Sequence, residues 1–248
     1  MTVRRERLDM LLLSRDMVPS RQKARALVLA GEVVVDDHRV DKPGTRVPVD
    51  AAIRLKRPLD GYVGRGAHKL RGALDAFEID LQGVVALDVG ASTGGFTQIM
   101  LERGAALVHA VDVGRNQLAW KLRQDERVRS REGVNFRYLD PATLDPRPEF
   151  ATVDVSFIGL GHILPVLSQT LVPGGIAVVL VKPQFELGRE AVGKGGIVRD
   201  PALREQAVTQ VSDVAERCGF RVRSRAQSPI TGTDGNVEFF LCLERVPS

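Results

Sequence analysis

The stretch Leu87-Asp88-Val89-Gly90-Ala91-Ser92-Thr93-Gly94-Gly95-Phe96 decides the fold. It reads as an apolar strand over 84–89, a turn only glycine-rich backbone can make, and a helix over 95–103. Working outward, the pattern alternates. A helix over 68–77 comes before it. Strand 107–113, helix 117–123, strand 151–155, helix 161–168 and strand 176–181 follow. A long helix over 201–218, with Pro201 in its first turn, precedes two last strands over 221–226 and 238–243. Such alternation predicts an α/β fold: a doubly wound, mostly parallel sheet with helices on both faces.

In such sheets a ligand binds outside the carboxyl ends of the strands, where this glycine turn lies. The spacing Gly90-x-x-x-Gly94-Gly95 is neither the dinucleotide fingerprint nor a phosphate loop ending in Gly-Lys-Ser/Thr. A nucleoside without phosphates fits better, and S-adenosylmethionine is such a ligand. Gly90, Ala91, Ser92, Gly94, Gly95 and Phe96 would form its cradle. Asp112, about 22 residues beyond Gly90 and followed by Val113, ends the second strand where a carboxylate can accept both ribose hydroxyls. Asp88 would meet the ammonium of the methionine part, Asn135 the adenine edge, and Asp154 the same crevice.

Three charges stand where an apolar residue would favour folding. Asp154 lies near the carboxyl end of strand 151–155, Lys182 follows Val178-Val-Leu-Val181, and Glu238 opens the last strand. Burying a charge is costly unless it is paired, so charges beside a ligand crevice suggest a site. With Lys69 on the preceding helix they would form a Lys/Asp/Lys/Glu cluster. That cluster suits removal of a proton from a weakly acidic hydroxyl. A lysine serves as base there only where its surroundings favour the neutral amine, and acids can orient the pair.

Residues 1–60 carry 13 Lys/Arg against 9 Asp/Glu, whereas the remainder carries 22 of each, so the net charge of +4 resides in the first quarter. A basic module beside a neutral body fits a polyanion partner. The module itself reads as two helices, 7–15 and 21–30 with Ser20 as N-cap and Gly31 as stop. Short strands 33–35 and 53–55 follow around an Asp36-Asp37 turn and a 42–44 loop. Residues 60–66, with three glycines after Pro58, read as a linker between a module over 1–59 and a domain over 67–248. Met10-Leu-Leu-Leu13 is too short for a secretory core, and no apolar run would span a bilayer. A cytoplasmic chain without a membrane partner is expected. Cys218 and Cys242 make no disulfide framework, and four scattered histidines suggest no metal.

Longer stretches carry a resemblance: Arg7-Leu-Asp9, Gly31-Glu-Val33, Arg65-Gly-Ala-His-Lys69-Leu, 88–96, Val181-Lys182-Pro-Gln-Phe185-Glu186 and Gly235-Asn236-Val-Glu238-Phe239. Over nearly its full length the chain resembles the TlyA-type family, known both as hemolysins and as ribosomal RNA 2′-O-methyltransferases. The resemblance implies a seven-stranded, Rossmann-like class I methyltransferase sheet of the FtsJ-like kind behind an S4 RNA-binding domain. It implies methylation of cytidine 2′-hydroxyls in bacterial ribosomal RNA or ribosomal subunits, with Lys69, Asp154, Lys182 and Glu238 catalytic and Lys182 the base. It assigns RNA contacts to Arg4, Arg5, Arg21, Lys23, Arg25, Lys42 and Arg65, and implies a monomer. The chain stops at Ser248, like the shorter members associated with the large-subunit RNA. Two rival readings are a membrane-lytic hemolysin and a non-catalytic ribosome-assembly factor. The first lacks a spanning or amphipathic segment; the second is disfavoured by the intact glycines and charges.

Overall fold

Apolar strands that alternate with amphipathic helices leave a sheet with two greasy faces, and the structure covers both. A computed structural model describes residues 4–18, 20–56, 61–193, 195–232 and 235–247. Pro58 and Asp60, at the expected module end and linker start, lie outside the described residues, as do Met1 and Ser248. The chain divides into two units, Met1–Gly61 and Tyr62–Ser248. Residues 62–66, read from sequence as linker, belong to the second: Val63 N–H donates to Gln98 Oε1 and Arg65 Nη2 to the Thr231 carbonyl.

The first unit runs β1 (Arg5–Arg7), α1 (Leu8–Ser14), α2 (Arg21–Leu29), β2 (Val33–Val35), β3 (His38–Arg39), β4 (Arg46–Pro48) and β5 (Ile53–Leu55). β1 pairs with β4, and β2 lies between β3 and β5, all antiparallel. Ser20 caps α2 by accepting from Lys23 N–H. Asp36 and Asp37 both take positive φ, the geometry of the two-residue hairpin turn joining β2 to β3. Leu8, Leu12, Val28 and Val33 fill the core. Asp9, fully buried, is held by Arg7 at 3.0 Å and Arg21 at 3.1 Å, which keep its carboxyl below the usual carboxylate range.

The second unit contains α3 (Gly66–Ala76), β6 (Val85–Val89), α4 (Gly95–Glu102), β7 (Leu107–Asp112), α5 (Trp120–Arg123), β8 (Val128–Glu132) and β9 (Phe150–Val153). It continues with α6 (Leu164–Thr170), β10 (Ile176–Val181), α7 (Pro183–Glu186), α8 (Pro201–Arg217), β11 (Phe220–Gln227) and β12 (Phe239–Arg245). Seven strands form one sheet in the order β11-β12-β10-β9-β6-β7-β8; β12 runs antiparallel to both neighbours and the remaining pairs are parallel. Alternate residues of a strand serve opposite cores. Val179 and Val181 pack with Leu164, Leu167 and Val211; Val178 and Leu180 pack with Leu70, Ile99 and Met100.

Three sequence readings change. The seventh strand, β8, is a charged edge strand that the apolar pattern did not mark. The helix expected over 117–123 starts only at Trp120, because Glu132 takes the N–H groups of Asn116, Gln117 and Leu118 on its carboxylate. Asp154 and Glu238 flank their strands instead of lying within them.

Candidate active site

The topology explains why distant charges meet. Asp154 and Lys182 directly follow the parallel neighbours β9 and β10. β12 runs the other way, with Phe239 opposite Val181, so Glu238 just before it arrives at the same end of the sheet. α3 brings Lys69 there. Lys69 Nζ lies 2.5 Å from Glu238 Oε2, and Lys182 Nζ lies 2.6 Å from Asp154 Oδ1. The latter is an ion pair without hydrogen-bond alignment, while Lys182 Nζ donates to Ser156 Oγ over 3.0 Å. Each lysine is thus matched to one acid, where the sequence suggested a lysine pair.

All four side chains line one cavity of about 670 Å³, together with Arg65 and the glycine turn. A second, of about 430 Å³, is lined by Asp112, Val113, Gln117, Asn135 and Ile163. Gly90, Ser92, Asp154, Ser156 and Phe157 line both. Gly90 has φ 85°, and a Cβ there would stand 2.4 Å from the Asp154 carbonyl oxygen, so only glycine brings the turn this close to the end of β9.

The smaller cavity has a telling lining. Among the described residues around it stand two carboxylates, two side-chain amides, two serines and apolar side chains, and no lysine or arginine. That suits a nucleoside without phosphates, and a positive charge near Asp154. Asp112 is set by accepting from Ser92 N–H at 2.7 Å and Gly114 N–H at 2.6 Å. Asn135 accepts from Arg137 N–H, which spends its oxygen on the local turn and leaves its amide N–H group for a ligand.

Two expected cofactor contacts point elsewhere. Asp88 is fully buried beneath the turn, accepting from Thr97 at 2.6 Å and Thr152 at 3.2 Å, and lines neither cavity. Burial pushes its carboxyl up to about 7, against the two threonine hydroxyls, with Asp154 adding to the rise. In this arrangement it braces the turn from beneath. Gly94, at φ 93°, packs under Leu118 and Leu122. Of the residues read as RNA contacts, Arg4, Arg5, Lys23, Arg25 and Lys42 are exposed on the first unit, and Arg21 is engaged by Asp9. Arg65 lines the larger cavity.

Sequence reasoning missed four residues. Phe157 is 91% exposed at φ 64° and lies 5.2 Å, centroid to centroid, from Phe185. Gln184 lines the larger cavity. Asn236, buried, donates to the Gly196 carbonyl and accepts from Val198 N–H, fixing a turn that lines the same cavity. The Lys182-Pro-Gln-Phe185 and Gly235-Asn236 stretches were the signals available. Among the described residues no group of three or more His, Cys, Asp or Glu is placed for a metal, and no helix is long and apolar enough to cross a membrane.

Known proteins give this geometry a context. A family model described as FtsJ-like methyltransferase matches residues 62–245, and one described as S4 domain matches 6–53. The 16S/23S rRNA (cytidine-2′-O)-methyltransferase TlyA of Mycobacterium tuberculosis is 45% identical over 241 residues, 97% of this chain and 90% of that protein. The 23S rRNA (cytidine-2′-O)-methyltransferase TlyA of Campylobacter jejuni is 34% identical over 180 residues, 72% of this chain and 69% of that protein. A solved structure from Streptococcus thermophilus that carries the hemolysin name superposes with a TM-score of 0.78 at 46% identity, covering 100% of this chain and 90% of that one.

Proposed function

Because the chain belongs to the FtsJ-like methyltransferase family and also carries an S4 domain, we propose that it methylates the 2′-hydroxyl of a cytidine ribose in bacterial ribosomal RNA, with Lys182 as base. The observation that carries this reading is the meeting of Lys69, Asp154, Lys182 and Glu238 in one cavity that adjoins a groove with no lysine or arginine among its described lining residues. The relatives named above act on cytidine 2′-hydroxyls, and the large-subunit RNA is common to both names, so that RNA is the proposed substrate.

Asp112 and Asn135 would hold the nucleoside of S-adenosylmethionine in this groove, with Gly90 and Ser92 at the turn. When bound, the cofactor supplies an electrophilic methyl on a sulfonium. Lys182 Nζ takes the proton of the ribose hydroxyl as its oxygen attacks. Asp154 and Ser156 hold that amine in place. The Lys69–Glu238 ion pair lines the same cavity as Lys182. Arg4, Arg5, Lys23, Arg25 and Lys42 of the S4 domain supply the cations for an RNA backbone. The proposal is for a soluble cytoplasmic enzyme acting as a monomer.

The test is transfer of a labelled methyl from S-adenosylmethionine to ribosomal subunits by the purified protein and by Lys182→Met. The variant should bind the cofactor and lose turnover by roughly 100-fold or more. Equal turnover would refute the assigned base; no transfer by the wild type to any ribosomal substrate would refute the function.

A further inference from the structure

Two buried side-chain oxygens on the described lining of the larger cavity accept no hydrogen bond, and of these Asp154 Oδ1 has Lys182 as its ion-pair partner. Gln184 Oε1 is shielded from solvent and accepts no hydrogen bond. Its side chain lines the cavity, two positions after Lys182 in the first turn of α7. A buried carbonyl oxygen without a donor is destabilising, so a protein keeps one where a ligand supplies the donor.

The surroundings narrow the donor. An ammonium in this cavity would be drawn to the carboxylates of Asp154 and Glu238, not to a neutral amide. Phe157 and Phe185, which line the same cavity, have rings tilted to one another with centroids 5.2 Å apart, an aromatic surface suited to a planar ring. Lys182 Nζ stands 5.8 Å from the Phe185 centroid, and Gln184, between these two residues in sequence, lines the same cavity. A nucleobase turned out of its stack is recognised by just such a face and by bonds to its edge. A cytosine presents an amino group as donor where a uracil presents a carbonyl acceptor.

We propose that Gln184 is the specificity-determining residue for the target base, its amide oxygen accepting a hydrogen bond from the exocyclic amino group of cytosine. This rests on the methyl-transfer reading above. A carboxamide can turn over and offer N–H to a carbonyl, so the preference is graded; a pyrimidine with neither amino nor carbonyl at that position leaves Gln184 unpaired in either orientation.

The experiment uses the full-length protein and two RNA fragments, identical except that the mapped target cytidine is replaced in one by its analogue lacking the 4-amino group. Wild-type kcat/KM should fall about tenfold or more on the analogue. Gln184→Met, of similar volume without the acceptor, should lose a comparable factor on cytidine and little further on the analogue. Its Kd for S-adenosylhomocysteine should match the wild type. Independent, multiplying losses on the two RNAs, or weakened S-adenosylhomocysteine binding, would overturn the assignment in favour of general packing or a cofactor contact. Should the variant not fold, the wild type decides alone: equal kcat/KM on both fragments overturns it. If the wild type methylates no ribosomal RNA, the proposed function itself falls instead.

Discussion

Lys69 and Glu238, 169 positions apart, meet at 2.5 Å with side chains 7% and 3% exposed. So deep a pair contributes less through attraction than it costs when halved. Glu238→Leu strands an ammonium and should destabilise the domain by about 3–5 kcal/mol. The double variant Lys69→Met/Glu238→Leu should regain most of that stability while methyl transfer stays lost. Denaturant melts of the three proteins check it; a double variant no more stable than the single one would show that the pair is not an isolated unit.

The Lys69–Glu238 contact also marks the limits of reading the sequence. Asp154, Lys182 and Glu238 were legible because a charge at the end of an apolar strand contradicts the strand's own pattern. Lys69 lies inside an amphipathic helix where lysine is unremarkable; only the packing of α3 buries it. The central strands declared themselves as apolar runs, whereas β8, Val128-Arg-Ser-Arg-Glu132, pairs on one side only and needs no apolar face. Phe157 and Gln184 escaped notice for a different reason. Their significance resides in a backbone torsion and an unpaired atom, and neither leaves a trace in residue type.

Asp112 joins two backbone segments as well as facing the smaller cavity. Its oxygens accept from Ser92 and Gly114, so the carboxylate both shapes the glycine turn and remains available to hydroxyls. Asp112→Ala should raise the Kd for S-adenosylmethionine by about tenfold or more, with stability lowered by about 1–3 kcal/mol. Calorimetric titration would show this, and an unchanged Kd would remove Asp112 from the cofactor site.

Asp88 gives the fold a pH dependence of predictable sign. Burial raises its carboxyl from 3.8 to about 7, so the folded chain binds this proton more tightly than the unfolded chain. The stabilisation is complete below the unfolded value and is lost as pH rises through about 7. Partly buried Glu186 shifts the same way, and buried His109, pushed down, in the opposite sense. Comparing wild type with Asp88→Asn cancels both. Between about pH 5 and pH 8.5 the wild type should lose stability relative to the variant; parallel curves would contradict a buried, neutral Asp88.

Asn236 fastens the turn at Gly196 and Val198 with both halves of its amide, while its own carbonyl accepts from Gly232 N–H. Asn236→Ala leaves the buried Val198 N–H unpaired, at about 1–3 kcal/mol, while the exposed Gly196 carbonyl can turn to water. The expected signature is local. Hydrogen exchange should quicken across 195–198, and turnover should fall while cofactor Kd holds. Uniformly faster exchange throughout the domain would mean global destabilisation instead.

Phe157 presents a conflict between folding and function. A phenylalanine at φ 64° is strained, and one left 91% exposed gains little from burial, so little in the fold beyond its contact with Phe185 rewards it. Its position between the two cavities does, if the ring meets the substrate base. Glycine takes that torsion freely, although it adds freedom to the unfolded chain. The two effects nearly cancel, so Phe157→Gly should unfold within about 1 kcal/mol of the wild type. Methyl transfer should fall by about tenfold or more, mostly through KM for RNA, because stacking on an aromatic ring contributes about 1–3 kcal/mol per base. Paired measurements of stability and RNA kinetics test both halves. A variant with undiminished transfer would show that the strained ring serves something other than the base.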